Sequence, residues 1–122
     1  MISIVVGGQM DKQSIAKQVE QLGQGKVTVS VKSDLDGALA IQTGQAQYYV
    51  GACNTGAGGA LGLAVGLLGP KLCVSISTPG KVMTEEEIRA QVQEGKRAFG
   101  MVVGNVERQL PVLMDAILKA NS

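Results

Sequence analysis

The chain has no histidine and no tryptophan, and its aromatic residues are two tyrosines and one phenylalanine. Histidine is the most common general base and the most common metal ligand, so we expect neither a metal nor another cofactor. So few aromatic rings offer no platform on which bases could stack. The net charge of +1 is made of scattered acids and bases without a basic run. Nucleic acid is therefore excluded as the expected partner.

Cysteine is also scarce, and a long part of the chain carries no charge. Cys53 and Cys73 cannot make a disulfide framework, and they suit a reducing cytoplasm. No acid or base lies between Asp36 and Lys71. The apolar segment Ala57–Leu68 covers 12 residues, whereas a membrane span needs about 20. We therefore expect a cytoplasmic protein without direct membrane insertion, in which Ala57–Leu68 is a buried helix.

Short apolar runs alternate with amphipathic segments along the chain. The predicted strands are Ile2–Val6, Lys26–Val31, Tyr48–Val50, Leu72–Ile76 and Ala98–Val103. A predicted helix follows each strand, which indicates a mostly parallel five-stranded sheet in a three-layer α/β/α sandwich, with residues 1–122 as one domain. The alternation of Val27, Val29 and Val31 favours an edge strand. The expected strand order is therefore the flavodoxin-like 2-1-3-4-5.

Polar residues at the predicted helix starts are typical of N-caps. Asp11, Ser33 and Asn105 each precede a predicted helix. Thr84 with Glu87 three residues later makes a capping box. The helix after Ser33 carries Leu35, Ala38, Leu39 and Gln42.

The segment Gly51–Gly69, GACNTGAGGALGLAVGLLG, predicts a ligand site. In an open parallel sheet, ligands bind at the carboxyl ends of the strands near the switch point, which the expected order puts between strands one and three. The loops Gly7-Gly8-Gln9 and Cys53–Gly59 arrive there, with Ser77-Thr78-Pro79 next door. Backbone N–H groups at a glycine-rich helix start can hold an anion. The candidate anion-binding residues are Gly8, Gln9, Asn54, Thr55, Gly56, Ala57, Gly58, Gly59 and Thr78.

Cys53 stands at the mouth of this loop, and two interpretations of it stay open. Near an anion pocket and a helix N-terminus its pKa would be lowered. A thiolate there could remove a proton next to a carbonyl while amides hold the enediolate oxygen and Thr55 adds a hydroxyl donor. A lone cysteine at a strand end is otherwise a small buried hydrophobe, which is our interpretation of Cys73. Tyr48 and Tyr49 alternate faces, so one of them borders the predicted cleft.

The glycines of the third helix predict close packing. Gly58, Gly62 and Gly66 recur every four residues, and each glycine inside a helix costs about 1 kcal/mol relative to alanine. A close approach to the sheet or to another subunit would offset that cost. We therefore expect a homo-oligomer.

The loop resembles a motif of known enzymes. The segment CNTGAG from Cys53 to Gly58 is similar to the Cys-Gly-Thr-Gly-x-Gly segment of type-B ribose phosphate isomerases and related galactose-6-phosphate isomerase subunits. In those enzymes the cysteine is the proton-abstracting base. The resemblance implies Cys53 as base, with Thr55 and the amides that follow as the anion hole. Those enzymes carry an Asp-His pair after strand one, where this chain has GGQM, and they open the sugar ring with a histidine.

A second resemblance extends over nearly the whole chain. The stretches YYVGACNTGAG from Tyr48, PGK from Pro79 and EGKRAFG from Glu94 are similar to the YhfU-like bacterial family. Families of this type occur beside membrane transporters and enzymes of carbohydrate or amino-acid metabolism, which implies handling of a small metabolite.

Three functions follow as hypotheses, so the sequence leaves open whether the chain is an enzyme. The first is binding of a small anionic metabolite, a sugar phosphate or carboxylate, with isomerase-like proton transfer by Cys53. The second is a non-catalytic binding or regulatory subunit associated with a transporter or metabolic enzyme, which the lack of histidine favours. The third is phosphoryl transfer through Cys53, which ranks last because sugar-transport components carry that cysteine after strand one.

Overall fold

The computed structural model describes residues 1–8, 10–53 and 59–122. Within them the strands are β1 Ile2–Gly8, β2 Val27–Val31, β3 Tyr48–Cys53, β4 Cys73–Ser75, β5 Ser77–Thr78, β6 Lys81–Val82 and β7 Ala98–Val102. The helices are α1 Lys12–Leu22, α2 Asp34–Gln42, α3 Gly59–Leu68, α4 Glu85–Gln93 and α5 Val106–Ala120. Short 3-10 turns cover Pro70–Leu72 and Val103–Asn105.

The described strands form a five-stranded parallel sheet and a small hairpin. The sheet has the order β2-β1-β3-β7-β4, and β5 pairs with β6 in antiparallel fashion. The predicted α/β class and parallel sheet are confirmed, and so is the place of β2 at an edge.

The last two places of the expected order were wrong. The fifth strand of the main sheet, β7, lies beside β3, and β4 takes the edge. The reason is burial, because an interior strand must be covered on both faces. Residues Ala98–Met101 of β7 are all buried, whereas β4 has three residues, of which Val74 and Ser75 are only half-buried.

Helices cover both faces of the sheet. On one face α1, α4 and α5 contribute buried residues such as Ile15, Ile88 and Leu110 to a core with Ile4 and Val50. On the other face α2 and α3 pack against each other. A second core lies there; it includes Val5, Ala38, Tyr49, Leu61, Ala64 and Cys73. Alternate residues of each strand therefore serve opposite helix layers, as the pleat requires.

Two of the four predicted N-caps make the cap hydrogen bond. Ser33 Oγ accepts from the N–H of Asp36 at 3.1 Å, and Thr84 with Glu87 makes both bonds of the capping box. Asp11 and Asn105 do occupy N-cap positions, but their side chains make no cap hydrogen bond. Asp11 is left-handed at φ 51°, a backbone conformation outside the extended region of a capping residue.

Small residues form the buried side of α2. Gly37, Ala38 and Ala40 are buried, whereas Leu35 and Leu39 are exposed. The space over the sheet is filled by the ring of Tyr49, because a Cβ on Gly37 would come within 2.8 Å of its Cε2 atom. The helix therefore turns its small side chains toward the sheet.

The described part of the chain contains no helix that is both long and apolar enough to cross a membrane. The apolar α3 begins at Gly59 and ends at Leu68, close to its predicted bounds. The expectation that this helix is buried was wrong, because only the side that faces the sheet, with Leu61 and Ala64, is buried, whereas Leu63 and Val65 are exposed. Cys73 is buried in the core beside α3, as predicted, and burial raises the pKa of its thiol while the charge of Lys96 opposes that shift.

Candidate functional site

The carboxyl ends of β1 and β3 lie side by side at the switch point of the sheet. Gly8 is the register partner of Ala52, and Cys53 is the register partner of Val102 on β7. From β1 the chain reaches β2 on one side through α1, and α2 then returns it to β3 on the other side. This is the crevice at which doubly wound sheets bind ligands. The predicted place of the topological switch point, between the first and third strands, is confirmed.

Cys53 is the last residue of β3, and its side chain is almost enclosed. Its exposed fraction is 3%, and it forms no disulfide. Side chains alternate along a strand, so Cys53 shares the α2/α3 face of the sheet with Tyr49 and Gly51. A thiol at this place is shielded from bulk water and lies at the base of the loop that follows.

Tyr49 extends along β3 toward the same end of the sheet. Its ring is fully buried. A Cβ on Gly7 would lie 2.6 Å from the Tyr49 hydroxyl oxygen, and a Cβ on Gly51 would lie 3.1 Å from it. The ring therefore crosses Gly7 and Gly51, and its hydroxyl group reaches the carboxyl ends of β1 and β3.

Asp34 meets that hydroxyl group. Its Oδ1 atom accepts from the Tyr49 hydroxyl at 2.8 Å and from the N–H of Gly8 at 2.6 Å. Asp34 is the first residue of α2, directly after the N-cap Ser33, so the helix start fixes its backbone. Two donors from β1 and β3 then hold the half-buried carboxylate at the switch point.

The surroundings of Tyr49 keep its hydroxyl group protonated. Burial is the largest cause, and the hydrogen bond to Asp34 and the negative charge of Asp34 raise the pKa of Tyr49 further. The backbone N–H of Gly8 acts in the opposite direction, and Cys53 adds a smaller increase. Tyr49 is therefore a permanent donor to Asp34 at physiological pH.

Gly8 serves the fold at this place. Its φ of +88° is left-handed, and a Cβ there would lie 2.6 Å from the carbonyl oxygen of Ala52. Only glycine fits so close to the neighbouring backbone. The N–H of Gly8 already donates to Asp34. Gly8 can therefore let a ligand come close to the backbone, but its N–H is not available as a donor to that ligand.

Most of the other candidate anion-binding residues cannot be placed in the site. Gln9 and the loop residues Asn54, Thr55, Gly56, Ala57 and Gly58 lie outside the described residues. Gly59 begins α3, directly behind that loop.

Thr78 follows the edge strand β4, which does not pair with β3, and its role in anion binding stays a prediction. It belongs to β5, which follows the edge strand β4 and is fastened to β7 where Ser77 Oγ accepts from the N–H of Val102 at 2.8 Å. One interior strand, β7, separates β4 from β3. The loop after β7, with Gly104 and Asn105, takes the adjacent place.

The sequence analysis did not identify Asp34, and it predicted that Tyr48 or Tyr49 borders the cleft without choosing between them. The expectation that one tyrosine borders the cleft fits Tyr49, whereas the Tyr48 hydroxyl accepts from Asn121 near the end of α5. The signal that could have identified Asp34 is an acid directly after the cap Ser33. In a first turn, however, an acid is ordinarily explained by the helix dipole.

Comparison with known proteins supports both the architecture and a family. A ribose-5-phosphate isomerase B from Giardia lamblia aligns with 96% of this chain and 94% of its own, with a TM-score of 0.72 at 14% sequence identity. A ribose 5-phosphate isomerase from Thermotoga maritima aligns with 96% of this chain and 86% of its own, with a TM-score of 0.64 at 13% identity. At such identities the likeness shows a shared fold.

Sequence comparison reaches closer relatives. The protein YhfU of Escherichia coli (strain K12) is 37% identical over 115 residues, which cover 94% of this chain and 97% of YhfU. YhfU of Shigella flexneri matches to the same extent. The model of the family described as "Protein of unknown function DUF2620" matches residues 2–117. With matches that extend over nearly all of both chains, this protein belongs to the DUF2620 family.

Proposed function

We propose that the chain binds a small anionic metabolite, a sugar phosphate or carboxylate, at the Cys53–Gly59 loop and transfers a proton next to a carbonyl with Cys53 as the base. The observation that carries the proposal is the place of Cys53. It ends β3 at the switch point, almost enclosed, on the same face as the Tyr49–Asp34 pair. The likeness in fold to two ribose 5-phosphate isomerases supports the same chemistry.

Each loop residue has a role in this proposal. The Cys53 thiolate removes the carbon-bound proton, and the amides of Gly56, Ala57 and Gly58 hold the oxygen on which charge develops. Thr55 donates its hydroxyl to the same oxygen. The phosphate or carboxylate group lies toward Gly59, where the positive end of the α3 dipole favours an anion. The carboxylate of Asp34 disfavours the opposite orientation, because like charges repel.

Hydrogen exchange tests the proposal directly. The protein is incubated in deuterium oxide with ribose 5-phosphate, with erythrose 4-phosphate, which cannot close to a ring, and with a series of 2-hydroxy carboxylates. NMR then follows deuterium at the carbon next to the carbonyl or carboxylate. Cys53→Ala is expected to lower exchange by at least 100-fold, since general-base catalysis contributes about 10²–10⁴-fold. Cys73→Ala is the matched control, because it removes the other buried thiol and leaves the base in place. Exchange that persists in Cys53→Ala would contradict a role for Cys53.

A binding subunit without catalysis is the second candidate function. The low exposure of Cys53 favours it, since a thiol that serves only as a small apolar side chain is typically buried. In that case the chain would recognise the metabolite on behalf of a transporter or metabolic enzyme. Calorimetry would then give nearly the same affinity for Cys53→Ala as for the wild type. Gly58→Val would abolish binding, because a β-branched side chain on the glycine-rich loop would keep an anion away from the backbone amides that are proposed to hold it.

We also propose that the chain forms a homo-oligomer through the outer face of α2 and α3. Leu35 and Leu39 of α2 and Leu63 and Val65 of α3 are exposed. Cβ atoms added at Gly62 and Gly66 would meet nothing within 4 Å, so close packing on the chain's own sheet does not explain these glycines. An exposed apolar face with small residues is typical of a surface that packs against another helix.

A further inference from the structure

Isomerisation through an enediolate needs two proton transfers, and Cys53 can perform only one of them. The base moves a proton between two carbons, while a second group must move a proton between their two oxygens. Histidine, the usual residue for such work, is absent from the chain. The inference below rests on the proposed function and asks which described side chain could provide the second transfer.

Asp34 is the acid whose contacts place it at the switch point. Its Oδ1 atom bonds Gly8 at the end of β1 and the hydroxyl group that Tyr49 brings along β3. Tyr49 and Cys53 share one face of β3, and the charge of Cys53 reaches the Tyr49 hydroxyl. The carboxylate therefore lies on the same side of the sheet as the thiol, at the same end of β1 and β3.

The geometry also leaves one oxygen of Asp34 available. Among the described residues, both hydrogen bonds of this carboxylate end on Oδ1. Tyr49 remains a donor because burial and Asp34 itself raise the pKa of its hydroxyl. The acid is half-buried at a fixed helix start, unlike Asp36 two residues later, which is exposed. Rotation of the carboxyl group is thus restrained while Oδ2 can accept a proton.

We propose that Asp34 is the proton carrier between the two substrate oxygens and that Tyr49 is its positioning residue. The Cys53 thiolate takes the proton from C2, and the electron pair of that bond becomes the C1–C2 double bond as the carbonyl electrons move to O1. Asp34 takes the proton from the O2 hydroxyl and delivers it to O1. The C2–O2 double bond forms, and C1 takes the proton from the thiol. Thiolate and carboxylate are both regenerated, so the sequence of steps balances.

The two transfers can be separated by experiment. With erythrose 4-phosphate as the probe in deuterium oxide, exchange at C2 reports Cys53, and conversion of aldose to ketose reports both groups. Asp34→Asn retains an oxygen that can accept from Gly8 and Tyr49 but cannot carry the proton. We expect conversion to fall about 10²–10⁴-fold, while exchange stays within about tenfold of the wild type because the enediolate still forms and returns. Asp36→Asn is the matched control, since it removes an acid from the same helix turn and should change neither rate.

The outcomes distinguish this inference from the proposal on which it rests. Equal losses of exchange and conversion in Asp34→Asn would overturn the role of Asp34 and leave Cys53 as the base. Unchanged rates in that variant would overturn it too. If the wild-type protein exchanges no proton with the aldose phosphates, the sugar-phosphate reaction and the role of Asp34 fall together.

Tyr49 has its own test. Tyr49→Phe should raise the ratio of exchange to conversion at least tenfold with little change in KM, because only the orientation of Asp34 is lost. Tyr48→Phe removes the hydroxyl of the preceding residue, which lies on the opposite face of the sheet and contacts Asn121. This variant should keep the wild-type ratio of exchange to conversion. In the Tyr48→Phe background, tyrosinate absorbance followed against pH reports Tyr49 alone, and Asp34→Asn should lower the pKa of that group. If neither the ratio in Tyr49→Phe nor the pKa of Tyr49 in Asp34→Asn changes, Tyr49 serves packing only.

Discussion

A single side chain, Tyr49, accounts for several glycines that would otherwise be attributed to turns. Its ring and hydroxyl group lie where a Cβ on Gly7, Gly37 or Gly51 would come within 2.6 to 3.1 Å of a Tyr49 atom. Glycine at these positions thus follows from volume, because a large ring is accommodated in a layer of small residues. The same ring delivers a hydroxyl group to Asp34. The same side chain therefore determines both the packing of this layer and the position of Asp34 in the candidate site.

The shifted pKa of Tyr49 predicts how stability changes at alkaline pH. Its ordinary value is 10.0, and the folded protein raises it. Between these two values the unfolded chain loses a proton that the folded chain keeps, so rising pH favours unfolding. The free energy of unfolding should fall by about 1.4 kcal/mol per pH unit above pH 10 from this group. Urea denaturation at successive pH values measures the slope. Tyr49→Phe should lack this contribution, whereas Tyr48→Phe retains it; equal slopes in all three proteins would contradict the prediction.

Both local sequence and tertiary structure determine how a helix of this protein begins. Ser33 and Thr84 adopt extended backbone and make the cap bonds expected of them, whereas Asp11 and Asn105 hold the position without the bond. The Asp11 turn is constrained by β3, because the N–H of Met10 donates to the carbonyl oxygen of Ala52 on that strand. Residue type indicates where a helix begins, and the path of the preceding loop decides whether the cap forms.

The capping box of α4 gives a prediction at this scale. Thr84→Ala removes the hydroxyl that accepts from Glu87 and should lower the free energy of unfolding by about 1 kcal/mol. Asn105→Ala changes another N-cap position that lacks a side-chain cap bond, and its effect should stay within about 0.5 kcal/mol. Chemical denaturation of the two variants compares them. Equal losses would mean that the cap bond of Thr84 adds nothing in solution.

The whole molecule has one charged helix layer and one nearly uncharged layer. Charged residues such as Glu85, Arg89, Asp115 and Lys119 form ion pairs on α4 and α5. On the opposite side no acid or base lies between Asp36 and Lys71, and leucines of α2 and α3 are exposed. A face without charges has no electrostatic preference for a charged partner. It is therefore suited to pack on a second copy of itself.

Light scattering after gel filtration tests this assembly. Leu63 is 46% exposed in the middle of α3, and Leu63→Glu should reduce the molar mass to that of the 12.6 kDa monomer because a charge cannot be buried unpaired. Val82→Glu is the matched control, since Val82 is exposed on the hairpin outside that layer. A wild-type protein that elutes as a monomer would contradict the proposed oligomer.

Much of the architecture and part of the site could be predicted from local patterns. Apolar runs of about five residues and the helix starts predicted the parallel sheet and its edge strand β2. The third strand was predicted to end at Val50, and the structure extends it to Cys53. The positions of β4 and β7 could not be predicted, because both strands are apolar and the choice between them depends on which one the helices cover on both faces. The surroundings of Thr78 could not be predicted for the same reason, since they follow from strand order, and its place in the binding site stays a prediction.

Alternation and apolar runs by themselves determined the fold class and the switch point, and glycine spacing predicted the loop after Cys53 as the candidate site, because these depend on short stretches of the chain. The tertiary structure alone decided that Asp34, Gly8 and Tyr49 meet. They come from α2, β1 and β3, and the contact exists because parallel pairing brings the ends of β1 and β3 together while the start of α2 lies above them. An acid that the sequence explains by its helix start alone thereby becomes the candidate partner of Cys53.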